Sequence, residues 1–224
     1  MKNILSEKKI NSINKLCDKY NISKYTINQD ATINVSGSVN LSHYNFKKLP
    51  INFNEVKGDF ICYTNNLNTL DGCPRIVYGS FNISYNPLTS LIGSPKFIQG
   101  EFTCTKTLIE SFEGFPDKVM GNIYAKSCNK LTTLKGIPNE INGGILVFGD
   151  MLKSLEYYPS NFKFLLPILY NSKLPAEFTS EFTTLNKEEQ IIFIKYQKHY
   201  DVWNPNLSVD SMHLLIDDIR GGLL

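Results

Sequence analysis

The side chains with the greatest capacity for chemistry in this chain are three histidines and one pair of adjacent aspartates. His43, His199 and His213 lie far apart in the sequence and lack neighbours at the spacing of a metal site or catalytic triad. Asp217-Asp218 falls in a predicted helix turn, where a solvated acidic pair is the usual interpretation. No phosphate-binding glycine loop occurs. We therefore expect no catalytic residue, no bound metal and no cofactor, and the sequence predicts that the chain is not an enzyme.

The cysteines are spaced like core residues and not like a redox or zinc motif. Their number is odd and no Cys-x-x-Cys pair occurs, so we expect reduced thiols. The N-terminus has no apolar run long enough for a signal peptide, and no stretch approaches about 18 apolar residues. These features predict a cytoplasmic protein with no membrane partner. The cysteines are Cys17, Cys62, Cys73, Cys104 and Cys128.

The charge is nearly balanced, at a formal net value of +2. Arg75 and Arg220 are the only arginines. Neutralising phosphates takes clustered Lys and Arg, so we do not expect nucleic acid as the main ligand. The two ends differ in sign. Residues 1–36 carry six Lys against three acids, and residues 164–224 carry five basic against eight acidic residues.

The elements that must position any functional side chain follow from a repeat. Glycine recurs at a fixed interval of 21 residues and then once after 22. A fixed period of this length is typical of stacked repeat architectures, in which each unit buries its apolar face against its neighbours. The sequence therefore predicts about six coils. The leading glycines are Gly37, Gly58, Gly79, Gly100, Gly121 and Gly143.

Each unit begins with a period-two alternation, which predicts a short strand with one buried face. The second and fourth residues after the glycine are apolar or small: Val39 and Leu41, Phe60 and Cys62, Phe81 and Ile83, Phe102 and Cys104, Ile123 and Ala125, Ile145 and Val147.

A polar corner and a tight return complete the unit. We expect the corner side chain to turn inward and satisfy backbone groups of the adjacent coil, because a buried turn would otherwise leave them unpaired. Gly and Pro then set the return, as in Gly72-Cys73-Pro74. The predicted corner residues are Asn65, Asn86, Thr107, Asn129 and Asp150.

The unit at residues 58–74 resembles the repeat of leucine-rich-repeat-like proteins encoded in bacteriophage genomes, which reads G-D-F-x-C-x-x-N-x-L-x-x-L-x-G-x-P. The flanks at residues 25–28 and 195–203 are similar as well. The resemblance implies a solenoid fold and a function in protein interaction. An apolar residue falls four positions before each inward pair, at Val56, Val77 and Val119, and the return is too short for a helix. Closure as a β-solenoid thus remains an alternative to a true leucine-rich repeat.

The segments on either side of the array predict caps. Residues 1–36 should form a helix over 6–20, begun by Ser6, and a hairpin over 25–35. The repeat array should span residues 37–175.

Residues 176–224 should form helices that cover the last coil. Asn186 with Glu189 resembles a capping box, Ser208 can begin a second helix, and Gly221 can end it. The predicted fold class is mainly β with α caps, a leucine-rich-repeat-like or β-solenoid array.

The outward face of the strands is the candidate binding site. A merely solvated sheet face favours Lys, Glu, Thr and Ser, whereas this one carries apolar and aromatic side chains, which are candidate interface anchors. The alternative is that the caps or a second copy of the chain cover them. The predicted binding residues are Ile61, Tyr63, Asn82, Tyr85, Thr103, Lys106, Tyr124, Lys126, Leu146 and Phe148.

The sequence leaves three functional hypotheses, and a viral origin would place the protein in the host cytoplasm. The leading hypothesis is a phage-encoded module that binds a host or viral protein and inhibits a host protein such as a defence component. The second is a structural or self-assembling phage component, which leaves a homo-oligomer open. The third and weakest is binding of a nucleotide or nucleic acid, with Lys106, Lys126 and the tyrosines as charge and stacking contacts.

Overall fold

The computed structural model describes residues 5–138, 142–146, 151–159 and 173–224, with only the backbone described at 145 and 146. Its fold is a β-solenoid of about four turns with helices in the N- and C-terminal regions. The predicted mainly β fold with helical caps is confirmed. The number of coils and the number of strands in each coil differ from the prediction.

Each coil contributes one short strand to each of two sheets. The strands of the first sheet come before the periodic glycine, and those of the second follow it. The first sheet contains β1 (Tyr25–Ile27), β2 (Ile33–Val35), β4 (Phe53–Val56), β6 (Ile76–Val77), β8 (Phe97–Ile98) and β10 (Lys118–Val119). The second contains β3 (Val39–Asn40), β5 (Phe60–Ile61), β7 (Phe81–Asn82), β9 (Phe102–Thr103), β11 (Ile123–Tyr124) and β12 (Ile145–Leu146).

Neighbouring strands in both sheets are parallel, except for the hairpin of β1 and β2. The predicted hairpin is therefore confirmed. Because β2 also pairs with β4, the hairpin belongs to the solenoid wall and β1 forms the edge of the first sheet.

The coil count corrects the prediction of about six. From β3 to β11 the chain completes four turns, and β12 begins another coil that lies partly outside the described residues. The glycine period indicates only the strands of the second sheet. The strands of the first sheet contain Val56, Val77 and Val119, the valines four positions before the inward pair. These valines are buried against the core from the first sheet. The returns at residues 62–75 and 83–96 consist of turns without a helix, so the coil closes through two sheets.

Columns of equivalent side chains fill the space between the sheets. Phe60, Phe81 and Phe102 are fully buried and stack with ring centroids 5.7 and 5.9 Å apart. In the next column Cys62 and Cys104 flank Ile83, and all three are fully buried. Since every ring contacts its equivalent in the adjacent coil, one coil alone could not bury this apolar surface.

The buried corner asparagines connect successive coils through their amides, as predicted. Asn65 Nδ2 donates to Leu41 O at 2.8 Å, and its Oδ1 accepts from Phe46 N at 3.1 Å. Asn86 repeats the arrangement one coil on, donating to Cys62 O and accepting from Leu67 N, both at 3.0 Å. Each amide therefore satisfies backbone groups of the preceding coil.

The corner changes in the later coils. Thr107 donates to Cys104 O of its own coil at 2.8 Å. The prediction of Asn129 is wrong: Asn129 is exposed, and Cys128 is the buried corner residue that donates to Cys104 O at 3.2 Å. The extra residue of the 22-residue unit therefore follows the corner. The predicted corner Asp150 lies outside the described residues.

The N-terminal cap is the helix α1 (Glu7–Lys19), which lies over the first coil. Ser6 Oγ accepts from Lys9 N at 3.4 Å, which confirms the predicted start of the helix. Ile13 and Cys17 are buried on its inner face.

The C-terminal cap consists of α2 (Ala176–Phe182), α3 (Lys187–Tyr196) and α4 (Val209–Arg220). The predicted capping box of Asn186 and Glu189 and the predicted cap at Ser208 are both present. Gln197 Nε2 donates to Leu155 O at 2.8 Å and connects this cap to the last coil. Among the described residues, none of the helices has the length and apolar character needed to span a bilayer.

The periodic glycines permit the closest approach between coils. Gly100 N donates to Gly79 O at 2.9 Å, and Gly121 N donates to Gly100 O at 3.0 Å. A Cβ added at Gly100 would lie 2.7 Å from the carbonyl carbon and oxygen of Gly79, whereas one added at Gly37 would meet nothing within 4 Å. The glycine is thus required inside the array and not at its start.

We expect Gly100→Ala to lower the free energy of unfolding by about 3 kcal/mol, because the methyl group must push backbone of the preceding coil aside. Gly37→Ala is the matched control and should change it by less than about 0.5 kcal/mol. Urea unfolding monitored by circular dichroism measures both. Equal losses for the two variants would contradict the argument from close approach.

We expect Asn86→Ala to cost about 3 kcal/mol of unfolding free energy, because it removes the acceptor of the buried Leu67 N–H in the preceding coil and the hydrogen bonds that the amide donates to Cys62 O and Ile83 O. Asn68→Ala, at an exposed position, should be nearly neutral. Thermal unfolding compares the two variants, and a loss at Asn86 no larger than that at Asn68 would show that the amide is not structural.

Candidate binding surface

The outer face of the second sheet carries the predicted site residues in columns. Strand register places Ile61 beside Asn82, Asn82 beside Thr103, and Thr103 beside Tyr124. All four side chains are half-buried. The structure thus brings these predicted residues into one column, with a spacing of about 4.8 Å between neighbours.

A second column surrounds Tyr63. The Tyr63 ring is half-buried and contacts the His43 ring edge to face, with centroids 5.0 Å apart. Ser42 and Ser84 occupy the equivalent positions in the coils before and after it. Their Oγ atoms are buried and have no hydrogen-bond partner among the described residues. Since buried hydroxyls are usually paired, these two atoms mark a place where the fold leaves polar groups unsatisfied.

The third column lies at the corner, where the chain leaves the strand. Its five residues have positive φ, between 53° and 64°. The left-handed conformation turns each side chain outward, and all five are exposed. The column consists of His43, Thr64, Tyr85, Lys106 and Ser127.

Two predicted site residues contact each other in this column. Tyr85 is 49% exposed, and Lys106 Nζ lies 4.9 Å from the centroid of its ring. A cation over an aromatic face is an attractive contact, stronger when a partner excludes water. Tyr85 has the largest exposed fraction of the described aromatic side chains on this face.

The far end of the face is more polar. Tyr124 OH donates to Glu101 Oε1 at 3.1 Å. Lys126, two residues after Tyr124, is exposed. Leu146 continues the column of Tyr124, because the two residues pair between β11 and β12. Phe148 lies outside the described residues.

Sequence reasoning missed the outer face of the first sheet. Ile76 and Phe97 are half-buried there, and Tyr78 and Met120 are exposed. The Tyr78 and Phe97 rings lie 6.2 Å apart, and Lys57 Nζ lies 4.0 Å from the Tyr78 centroid. The available signal was the Val or Ile three residues after a proline, at Val77, Ile98 and Val119, which marks a strand whose flanking residues face outward.

The sequence also missed His43 and Thr64, which the left-handed corner adds to the candidate surface. Strand alternation alone does not indicate them, because they follow the point where the strand ends.

Buried thiols lie beneath this corner. The Cys128 thiol donates to Cys104 O at 3.2 Å, and burial raises the pKa of Cys104 well above its ordinary value. Burial also raises the pKa of Cys62 to about 12. Cys104 and Cys128 have no exposed surface, so this pair serves the packing of the corner. All five cysteines are free.

Within the described ranges, no group of three or more His, Cys, Asp or Glu side chains is arranged to hold a metal ion. No protein-family model, curated protein or solved structure matches the chain. The two outer faces and the caps are therefore the candidate functional surfaces.

We expect Thr64→Gly to raise the free energy of unfolding by about 1 kcal/mol, because a β-branched residue is strained at a φ of 53° and glycine is not. Thr64→Val keeps the branched shape and should give no gain. Chemical denaturation measures both. A loss of stability in the glycine variant would show that unfolded-state entropy outweighs the strain.

Proposed function

We propose that this protein is an interaction module that binds a partner protein against the outer face of its second sheet. The observation that carries the proposal is the exposed Tyr85 and Lys106 pair beside Tyr63. The aromatic rings offer apolar surface that a partner can bury, and the Lys106 ammonium offers hydrogen-bond donors to it.

The scaffold beneath the face supports the proposal. Each outward residue is fixed by inter-coil hydrogen bonds, such as Tyr85 N to Thr105 O at 2.9 Å and Lys106 N to Lys126 O at 2.8 Å. A preorganised face loses little entropy when a partner binds, so a modest number of anchors can give useful affinity. The lysines that we assign to this face, Lys106 and Lys126, are too few to favour a nucleic acid.

The source and the partner are the finer part of the proposal. The resemblance of the 21-residue unit to leucine-rich-repeat-like phage proteins favours a phage-encoded protein. On that basis we propose that the partner is a host protein, such as a defence component, and that binding inhibits it. The module acts by occupying a surface of its partner and not by catalysis.

The test compares two triple variants with the unaltered protein. Tyr63→Ala/Tyr85→Ala/Lys106→Ala removes the proposed anchors, and Tyr78→Ala/Phe97→Ala/Lys118→Ala alters the first sheet as a matched control. Each protein is used to capture partners from host lysate, and the captured protein is then purified for titration. We expect the second-sheet variant to lose roughly thirtyfold or more in affinity, as hot-spot residues do.

The control variant should bind within about threefold of the unaltered protein. If the control loses binding and the second-sheet variant does not, the first sheet is the binding face. If both bind normally, neither face carries the function. Thermal unfolding of all three proteins confirms that any loss does not come from misfolding.

A further inference from the structure

Charge is segregated along the axis of the solenoid. Residues 5–52, which form the N-terminal cap and first coil, contain seven lysines against three carboxylates. Residues 53–172 contain ten basic and ten acidic residues. Residues 173–224, which form the C-terminal cap, contain five basic against eight acidic residues. The basic excess therefore lies at one end of the solenoid and the acidic excess at the other.

The basic end presents its charge on a helix. Lys8 and Lys15 lie seven residues apart on the outer side of α1, opposite the buried Ile13 and Cys17. Both lysines are exposed. They border a shallow depression of about 520 Å³ that is lined by polar side chains of the helix.

The acidic end presents a helix with the same spacing. Asp210 and Asp217 lie seven residues apart on α4, and both are exposed. Leu214 lies between them on the same side and is 57% exposed, the largest exposed fraction of an apolar side chain inside a described helix. Met212, Leu215 and Ile216 are buried on the inner side.

We propose that copies of this chain associate head to tail, with the outer face of α1 in one copy against the outer face of α4 in the next. Seven residues span about 10.5 Å in an α-helix, so the two lysines can meet the two aspartates simultaneously. Leu214 would then be covered by the small polar side chains between the lysines. The interface joins different surfaces, so it can repeat from copy to copy.

This association is independent of the proposed partner-binding face, because neither α1 nor α4 contributes to the second sheet. Exposed ion pairs are weak and are screened by salt. The assembly should therefore form at high protein concentration and low ionic strength, and it should weaken as the Debye length falls from about 30 Å near 0.01 M salt to about 8 Å near 0.15 M.

The experiment uses two charge-reversed proteins, Lys8→Glu/Lys15→Glu and Asp210→Lys/Asp217→Lys. Sedimentation velocity over a range of protein concentrations gives the association constant of each protein in low and high salt. The unaltered protein should self-associate in low salt. Each reversed protein alone should associate roughly tenfold or more weakly, because the substituted positions on α1 and α4 then carry charges of the same sign. An equimolar mixture of the two should recover association, since each then meets a complementary end.

The matched control is Lys118→Glu/Lys130→Glu, which makes the same change in net charge within the array and should associate like the unaltered protein. Circular dichroism melts establish that all four proteins fold. A monomeric unaltered protein in low salt, normal association of either reversed protein, or a mixture that fails to recover would each overturn the proposal. Loss of the captured partner with normal self-association would count against the proposed function and leave this interface intact.

Discussion

The fixed distance between successive coils is the constraint on which the rest of this structure depends. Parallel strands hold neighbouring coils at about 4.8 Å, so each residue contacts its own equivalent one coil away. Phe81 stacks on Phe60, and Gly100 hydrogen-bonds Gly79. A residue type is therefore acceptable only if it packs against the residue at the equivalent position of the adjacent coil. Phenylalanine, asparagine and glycine each meet this condition in a different way, by stacking, by bridging the corners of adjacent coils, and by allowing backbone contact.

The same constraint explains which parts of the fold the sequence could predict. Equivalent contacts in successive coils require similar residues at a fixed interval in the sequence. The glycine period, the inward pair and the corner asparagines could therefore be predicted from the sequence. The first-sheet strands left a weaker mark. Val56 and Val77 each supply one inward residue between outward neighbours of mixed type, so no alternation extends far enough to indicate a strand. The sequence did not indicate Cys128 instead of Asn129 as the corner residue, because the length of a 22-residue unit does not show where its extra residue lies.

The candidate surface was predictable to a similar extent. Alternation places Ile61, Asn82 and Thr103 outward, and the strand register puts them in one column. It does not predict how exposed each residue is. Tyr63 lies within the wall and is half-buried, whereas Tyr85 follows the strand in a left-handed conformation and is 49% exposed. Accessibility on this face thus depends on backbone conformation at the corner, and no side-chain pattern encodes that conformation directly.

The same constraint applies to charged side chains at equivalent positions of successive coils. Like charges at equivalent positions would repeat every 4.8 Å and repel, so a regular array must balance its charges between neighbouring coils. Two ion pairs of the array do this: Lys96 contacts Asp117 at 3.6 Å, and Lys135 contacts Glu113 at 2.8 Å, in each case one coil apart. The caps do not repeat and escape this condition. A solenoid can therefore carry a net charge of one sign most readily at its ends, where the same helices that close the core also form its most strongly charged surfaces.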